Sequence, residues 1–303
     1  MRDQAIVLPG GDPTGASCPE ASTGFSLLAP LNVAQTVAHA RMGIGDPCLR
    51  VIDGAVWRAT RTPAGCATER IRLGSDGSVE IDAWGAGAEW LVQHAPWLCG
   101  ALDDPAAFEP EQPLLRHLAR SHPGLRIGRT EAVFETATLV TLEQRVATRE
   151  AWRNWRGLVH ALGEPAPGPP IGLWVPPSPE RIARTPYDVF HRFGIERRRA
   201  DIIRRFAVVA RRLEEAVSLP LETAYRRLRA IPGVGPWTAA RIGMIALGDA
   251  DAVALGDLHL PHMVTWALAG ERRGSDARML ELLEPYRGHR ARVVRLLLAG
   301  YRR

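Results

Sequence analysis

The chain of 303 residues contains no lysine, so all 38 of its Lys and Arg side chains are arginines. Schiff-base chemistry through a lysine amine is therefore excluded. Cysteine is also scarce, and Cys18, Cys48, Cys66 and Cys99 all lie in the first third of the chain. Their spacings match no zinc or iron–sulfur pattern. We expect inert thiols and no metal cluster.

Long apolar runs are missing as well. No segment approaches the roughly 18 apolar residues that a membrane span requires, and the N-terminus lacks the basic-then-apolar pattern of a secretory signal. We therefore expect a cytoplasmic protein with no membrane contact. Apolar residues still make up 46% of the chain, which is enough for packed cores in the two domains that its length allows.

Charge is distributed unevenly along the chain. Residues 1–122 carry 9 Arg and 14 acidic residues, for a net charge of −5, whereas residues 123–303 carry 29 Arg and 19 acidic residues, for a net charge of +10. A basic surplus of this kind either keeps a domain soluble or marks the part of a protein that meets a polyanion. Charge alone leaves both interpretations open.

The residue patterns predict an α+β protein in three parts. Residues 1–23 are rich in Gly, Pro, Ser, Thr and Asp, and we expect a flexible tail there. Residues 24–122 predict a small antiparallel β-rich domain with turn signals such as Asp53-Gly54. Its strand candidates are Cys48–Ile52, Ala55–Arg61, Thr68–Leu73 and Val79–Trp84. Residues 123–303 follow a helical pattern and form the third part.

The most informative stretch is Ile231-Pro-Gly-Val-Gly-Pro-Trp-Thr-Ala-Ala-Arg241, which is followed by Gly256-Asp-Leu-His-Leu260. A helix predicted over Leu221–Ala230 runs into a Pro-Gly-Val-Gly turn, and a second helix is predicted to begin at Trp237. Glycines let such a turn approach another molecule closely. Its free backbone amides lie at a positive helix end, which suits a phosphate group. With the carboxylate of Asp257 nearby, the pattern favours chemistry on a nucleic-acid backbone.

These segments resemble the helix–hairpin–helix and Gly/Pro-Asp core of the DNA glycosylase superfamily, most closely its 3-methyladenine DNA glycosylase II branch. Phe134–Val146 is similar to the helix that opens the family's catalytic domain, and Glu284–Gly288 to its Pro-aromatic-Arg turn. Phe193–Ile203 is similar to a glycine-then-Arg-Ala helix start. The resemblance implies that residues 123–303 form two helical subdomains with a cleft between them.

The resemblance implies a catalytic role for Asp257. In the family, the equivalent aspartate faces the flipped-out nucleotide and stabilises the positive charge that develops on the deoxyribose as the N-glycosidic bond breaks. It can also orient or activate water. A plain helix cap is the alternative, and one carboxylate can serve both purposes. His259 matches a histidine that is common at this point of the family, structural or facing a phosphate.

Trp237 stands where the lyase branches of the superfamily carry the lysine that forms an imine with the sugar. The resemblance therefore implies a monofunctional enzyme that uses water and leaves an abasic site. In the alkylbase branch, a tryptophan here lines the base pocket and can stack on an electron-poor base; a core position is the alternative. Trp174 and Trp266 are further candidates for stacking, again with a core position as the alternative.

The resemblance also implies a set of DNA contacts. The hairpin binds phosphates through its backbone amides, and Arg145 either fills the gap that a flipped base leaves or is a plain surface arginine. The DNA-binding candidates are Gln144, Arg145, Pro232, Gly233, Val234, Gly235, Thr238 and His259. Family members often hold a monovalent cation on hairpin carbonyls, which by position would be those of Arg229, Ile231 and Val234. No other cofactor is expected, and an iron–sulfur cluster is not.

One residue departs from the alkylbase pattern. Arg295 lies where some alkylbase enzymes carry a second pocket tryptophan, which weakens the inference of a pocket for a cationic base. The main prediction is a monomeric, nucleoid-associated base-excision glycosylase that removes alkylated, 3-methyladenine-like purines from duplex DNA. A glycosylase for another damaged base is the nearest alternative. A helix–hairpin–helix protein that binds DNA without catalysis is the alternative from a different class.

Overall fold

A computed structural model describes residues 18–28 and 30–300 of the chain. Most of the tail predicted over residues 1–23 therefore lies outside the described residues. Its last three residues belong to a β-strand, β1 (Ala21–Phe25), instead. The predicted α+β fold is confirmed, because a five-stranded antiparallel sheet is followed by a mainly helical region.

The sheet has the strand order β1-β5-β4-β3-β2, and every neighbouring pair is antiparallel. Its strands after β1 are β2 (Leu49–Ile52), β3 (Ala55–Thr62), β4 (Gly65–Leu73) and β5 (Val79–Trp84). All four predicted strands are therefore present. The additional strand, β1, lies at the edge and has an exposed middle, so it carries no alternating apolar pattern that the sequence could have shown.

Both faces of the sheet are covered. Two helices, α1 (Val33–Val37) and α2 (Ala88–Leu98), pack on one face, where Ile71 and Ile81 lie in a shared apolar core with Leu91. The proline-rich segment of residues 163–177 forms a short hairpin of β6 (Glu164–Pro165) and β7 (Trp174–Val175). This hairpin packs against tryptophans of the other face.

The rest of the described chain is helical. Its helices are α3 (Pro113–Ser121), α4 (Val133–Leu142), α5 (Thr148–Leu162), α6 (Pro179–Arg184), α7 (Tyr187–Arg192), α8 (Arg197–Val208), α9 (Ala210–Glu214), α10 (Leu221–Arg229), α11 (Pro236–Ile242), α12 (Leu260–Ala269), α13 (Asp276–Leu283) and α14 (Arg290–Gly300). They enclose two separate cores. One lies among α4 to α11 around Trp155 and Phe206, and the other lies among α3, α12, α13 and α14 around Val264 and Met279.

Helix α3 belongs with the C-terminal helices, although it precedes the predicted boundary at residue 122. Its buried Leu115 and Leu118 share a core with Val293 of α14. The helix begins at Pro113, and the Gln112 side chain accepts a hydrogen bond from the Leu115 amide. These start signals were present in the sequence, but only the folded chain shows which core the helix joins.

Candidate active site

The turn between α10 and α11 carries two glycines with different roles. Gly233 has a φ of +100° and lies against the Ile202 side chain, so the fold itself requires a glycine there. Gly235 has an extended backbone, and a Cβ at this position would have no atom of the described residues within 4 Å. No contact in this part of the chain requires Gly235, whose missing side chain leaves the exposed turn open to a partner. Val234, only 7% exposed, anchors the turn in the core.

Two backbone amides of this turn are free, and one of its carbonyls contacts an arginine. The amides of Gly233 and Gly235 donate no hydrogen bond to any residue in the described part of the chain. Arg205 Nη1 donates to the Pro232 carbonyl at 3.1 Å, and Arg204 and Arg205 line a surface groove of about 530 Å³ beside the turn. Free amides and guanidinium groups together form a surface that suits an anion.

Helix α4 ends at the same turn. Gln144 Nε2, just beyond the helix, donates to Thr238 Oγ1 at 2.9 Å and to the Gly233 carbonyl at 3.3 Å. Thr238 was predicted to contact DNA, but it is only 3% exposed. Its hydroxyl instead supports the side chain of Gln144. Arg145 follows with a φ of +55°. Its exposed side chain forms no hydrogen bond or ion pair with any described residue.

Asp257 and Trp237 are in direct contact. Trp237 Nε1, at the start of α11, donates to Asp257 Oδ2 at 2.8 Å. The other carboxylate oxygen, Oδ1, accepts from the amides of His259 and Leu260 at 2.8 and 2.9 Å. Asp257 therefore caps α12 and is oriented by the indole. The two residues bring together α11 of one helical core and α12 of the other, so the carboxylate lies at their junction.

The environment keeps the Asp257 carboxylate ionised. Burial raises its pKa, but the hydrogen bonds from Trp237, His259 and Leu260 and the nearby charge of Arg241 outweigh burial, so the pKa is lowered from 3.8. A carboxylate of low pKa is a weak base but a good stabiliser of positive charge.

The sequence analysis missed Arg241 of α11 and its ion-pair partner Glu143. Arg241 follows Trp237 by one helical turn, on the same face of α11. Its Nη2 donates to Glu143 Oε2 at 2.8 Å, which ties α11 to the end of α4. The spacing of four residues from Trp237 is the one sequence feature that could have placed Arg241 near the site. Its ion pair with Glu143 could not be predicted, because the two residues are 98 positions apart.

Arg295 and His39 approach the same region from other elements. Arg295, on α14, is only 6% exposed, and one guanidinium nitrogen donates to the Gln35 carbonyl of α1. Burial, and then the charge of Arg241, lower the Arg295 pKa to about 10. Burial also lowers the pKa of His39 well below 6.5, with further contributions from Arg295 and Arg241. His39 is therefore neutral near pH 7.

Three other predicted site residues make no side-chain hydrogen bond to Asp257. Trp174 lies in β7, where its ring packs edge-on against His160 at a centroid distance of 5.0 Å. Trp266 lies on α12 and is 43% exposed. Among the described residues, neither ring is in aromatic contact with Trp237. His259 is exposed at the start of α12.

The predicted cation ligands are backbone carbonyls around the turn. The Ile231 carbonyl accepts from the Val234 amide at 3.0 Å, and an oxygen in such a bond retains a lone pair for a cation. The guanidinium of Arg205 already lies on the neighbouring Pro232 carbonyl, which places a fixed positive charge beside this position. Among the described residues, no group of three or more His, Cys, Asp or Glu side chains is placed to hold a metal ion, and no helix is both long and apolar enough to cross a membrane.

Comparisons with known proteins find similar sequences and similar folds. No family model matches the chain. Over 153 residues it is 36% identical to a probable bifunctional transcriptional activator/DNA repair enzyme AlkA of Mycobacterium tuberculosis, which covers 49% of this chain and 30% of that protein. The fold superposes on a 3-methyladenine DNA-glycosylase from Archaeoglobus fulgidus with a TM-score of 0.76 and 20% identity, over 91% of this chain and 97% of the other. The chain therefore shares its fold with DNA glycosylases, and about half of its sequence is similar to curated proteins named as DNA repair enzymes or DNA-3-methyladenine glycosylases.

The shared fold does not by itself decide the reaction. The fold also superposes on an 8-oxoguanine glycosylase/lyase from Clostridium acetobutylicum, solved with double-stranded DNA, with a TM-score of 0.70 and 13% identity over 93% of this chain and 95% of the other. The chain spans less than two thirds of the length of the curated relatives that it matches. The activity must therefore be argued from the site.

Proposed function

We propose that the protein is a monofunctional DNA glycosylase of base excision repair. It hydrolyses the N-glycosidic bond of a damaged purine in duplex DNA, and it acts as a monomer on the DNA of the nucleoid. The observation that carries this proposal is the Asp257 carboxylate, which three hydrogen bonds hold, one of them from Trp237, close to a turn with free backbone amides.

In this proposal Asp257 stabilises the sugar. As the bond between C1′ and the base nitrogen breaks, its electron pair leaves with the base and positive charge develops on the deoxyribose. An ionised carboxylate with fixed orientation lowers the energy of that state without reorganising. The low pKa of Asp257 favours this electrostatic role over proton abstraction from water.

Water is the proposed nucleophile. The superfamily position for an imine-forming lysine is occupied by Trp237, whose Nε1 is committed to Asp257, and the chain contains no lysine. Addition of water to C1′ yields an abasic site and the free base. The strand then stays intact until alkali or another enzyme cleaves it.

DNA is held mainly through its backbone. The free amides of Gly233 and Gly235 bind phosphate oxygens, with a monovalent cation on the hairpin carbonyls as a further contact. Gln144 holds the turn in place, and the unpaired, exposed Arg145 beside it fills the space that the flipped base leaves.

The names of the relatives favour an alkylated, 3-methyladenine-like purine as the substrate. The similarity in fold to an 8-oxoguanine enzyme means that the fold alone does not select among damaged bases. An uncharged damaged base is the second candidate, and the buried, partly unpaired Arg295 favours it.

A base-release assay on duplexes with single methylated, deaminated or oxidised bases tests the proposal. We expect free base to appear, and strand breaks only after alkali. Asp257→Asn should slow release about 1,000-fold or more, a loss of roughly 4 kcal/mol of transition-state stabilisation, while the affinity for DNA is retained.

Glu281→Gln is the matched control, because this carboxylate lies on an exposed part of α13 and should release base at the wild-type rate. DNA binding without release from any duplex would support the non-catalytic alternative. Strand cleavage without alkali would contradict the monofunctional assignment if borohydride also traps a covalent adduct between the DNA and a residue within 123–303.

A further inference from the structure

One peptide unit of the turn between α10 and α11 is hydrogen-bonded at only one end. The Pro232 carbonyl accepts from Arg205 Nη1 at 3.1 Å, whereas the Gly233 amide donates to no described residue. Because a trans peptide is planar, its carbonyl and its N–H point in opposite directions, and the described chain contains no cis peptide. The guanidinium therefore lies behind this peptide, and the free, exposed amide faces away from it.

Helix α8 supports the same peptide from below. Ile202 and Arg205 are three residues apart on this helix, so they lie on one face of it. The Ile202 side chain is only 1% exposed, and a Cβ added at Gly233 would lie 2.4 Å from it. Packing against Ile202 thus fixes the position of the turn, and the hydrogen bond from Arg205 fixes the orientation of the peptide.

The neighbouring carbonyls of the turn are bonded as well. Gln144 Nε2 donates to the Gly233 carbonyl at 3.3 Å. The Val234 amide donates to the Ile231 carbonyl at 3.0 Å. Three successive carbonyls therefore have donors within the protein, while the amides of Gly233 and Gly235 have no acceptor in the described chain. A set of free donors that is already oriented binds an anion without the cost of ordering the backbone.

The charge of Arg205 is not paired inside the protein. Asp201 lines the same surface groove of about 530 Å³, but Arg205 forms no ion pair with it or with any other described residue. A charged donor makes a stronger hydrogen bond to a carbonyl than a neutral one does. It also polarises the peptide, so that the N–H at the other end becomes a better donor. A phosphate on the Gly233 amide would have this peptide between itself and the guanidinium.

We propose that Arg205 is a positioning residue for DNA binding, which holds the Pro232–Gly233 peptide with its amide toward a backbone phosphate and does not contact that phosphate itself. The inference rests on the proposed function, in which this turn binds DNA. Arg205 was not among the predicted DNA-binding residues. The competing explanation is a direct contact between the guanidinium and a phosphate, and it differs in what it predicts for the free protein and for the salt dependence of binding.

The order of the turn in the free protein tests the positioning directly. Relaxation of ¹⁵N measures the order parameters of the Gly233 and Gly235 amides, and we expect rigid values of about 0.85 in the wild-type chain. Arg205→Met should lower the Gly233 value toward about 0.6. Arg205→Lys keeps a charged donor and should restore part of it. Thermal unfolding should be unchanged in both variants, because Arg205 is exposed.

Equilibrium binding to a duplex with a tetrahydrofuran abasic-site analogue is the second measurement. We expect Arg205→Met to weaken binding about ten-fold. The slope of log K against log salt concentration should stay the same between about 50 and 200 mM KCl. Arg211→Met is the matched control, since Arg211 is an exposed arginine of α9 without a hydrogen bond or ion pair in the described chain. It removes the same charge and should leave the order of the turn unchanged and binding much less affected.

Several outcomes would overturn the inference. An unchanged order parameter of Gly233 in Arg205→Met would refute the positioning, and a salt slope that is shallower by about 0.9 would make Arg205 a direct phosphate contact. Equal losses of affinity in Arg205→Met and Arg211→Met would indicate general attraction by positive charge. A disordered turn with unchanged affinity would show that this turn does not bind DNA. Binding without release of any base would instead refute the glycosylase function and leave the role of Arg205 standing.

Discussion

The sheet and helix α14 both bury arginines, but their charges are partnered differently. In the sheet, Arg58 of β3 is 4% exposed and donates to Glu69 of β4 at 3.0 Å, and its second terminal nitrogen donates to the Thr130 carbonyl. On α14, Arg295 is buried almost as deeply, yet among the described residues it donates only to the Gln35 carbonyl. The difference lies in the partners and not in the burial.

This contrast separates a buried charge that has an ion-pair partner from one that has none. A buried ion pair with satisfied hydrogen bonds contributes little net stability, but removal of one partner is costly because the other is left unpaired. When a charge has no ion-pair partner, its removal leaves no other charge unpaired. Removal of the ion-pair partner of Arg58 should therefore lower the free energy of unfolding. Removal of the Arg295 side chain should leave that free energy almost unchanged.

The largest expected effect is in the sheet. Glu69→Leu leaves the Arg58 guanidinium buried beside an apolar side chain, and we expect the free energy of unfolding to fall by about 3–5 kcal/mol. Urea unfolding followed by circular dichroism measures it. The double variant with Arg58→Met should recover most of the loss. Equal stabilities of the single and double variants would show that the pair is not the reason for the charge in the sheet.

A smaller effect distinguishes two arginines of α14. Arg292→Met leaves Asp103 buried without its ion-pair partner, so we expect a loss of about 3 kcal/mol in unfolding free energy. Arg295→Met removes an unpaired charge, and we expect stability to be unchanged or to rise by about 1 kcal/mol. The same unfolding experiment measures both variants. A similar loss for both would mean that Arg295 is as structural as Arg292.

The two regions also differ in how far the sequence could predict them. Strands β2 to β5 and the turn after α10 follow from local patterns, namely alternation and turn residues in the sheet, and a Pro-Gly-Val-Gly motif at the turn. The contact between Trp237 and Asp257 spans only 20 positions, and the motif spacing placed both residues at the site.

Long-range contacts could not be predicted in this way. Glu143 and Arg241 are 98 positions apart, and Arg295 and the Gln35 carbonyl are 260 apart. Nothing local signals such pairs, because each depends on how elements that are remote in the sequence pack together. For Trp174 and Trp266, residue type alone made them candidates for the pocket, and their role there stays a prediction.

The smallest effect concerns the pH dependence of the buried carboxylates. Burial raises the pKa of Glu69 despite its pairing with Arg58, whereas hydrogen bonds lower the pKa of Asp257. For a lowered pKa, the contribution of the ionised form is fully present above the ordinary value of 3.8 and is lost only as the pH falls through the lower folded value. Since His39 also stays neutral, base release should be flat between about pH 6 and 8.

Trp237→Phe tests the cause of this difference. It removes the Nε1–H bond to Asp257 Oδ2 but keeps an aromatic ring, and a hydrogen bond to a charged group is worth about 1.5–3 kcal/mol. The Asp257 pKa should therefore rise toward or above its ordinary value, which moves the acid limb of the rate profile to higher pH. Single-turnover release from about pH 3 to 8 measures this change. An unchanged acid limb would mean that the amides of His259 and Leu260 alone keep Asp257 ionised, and that the indole serves the base and not the carboxylate.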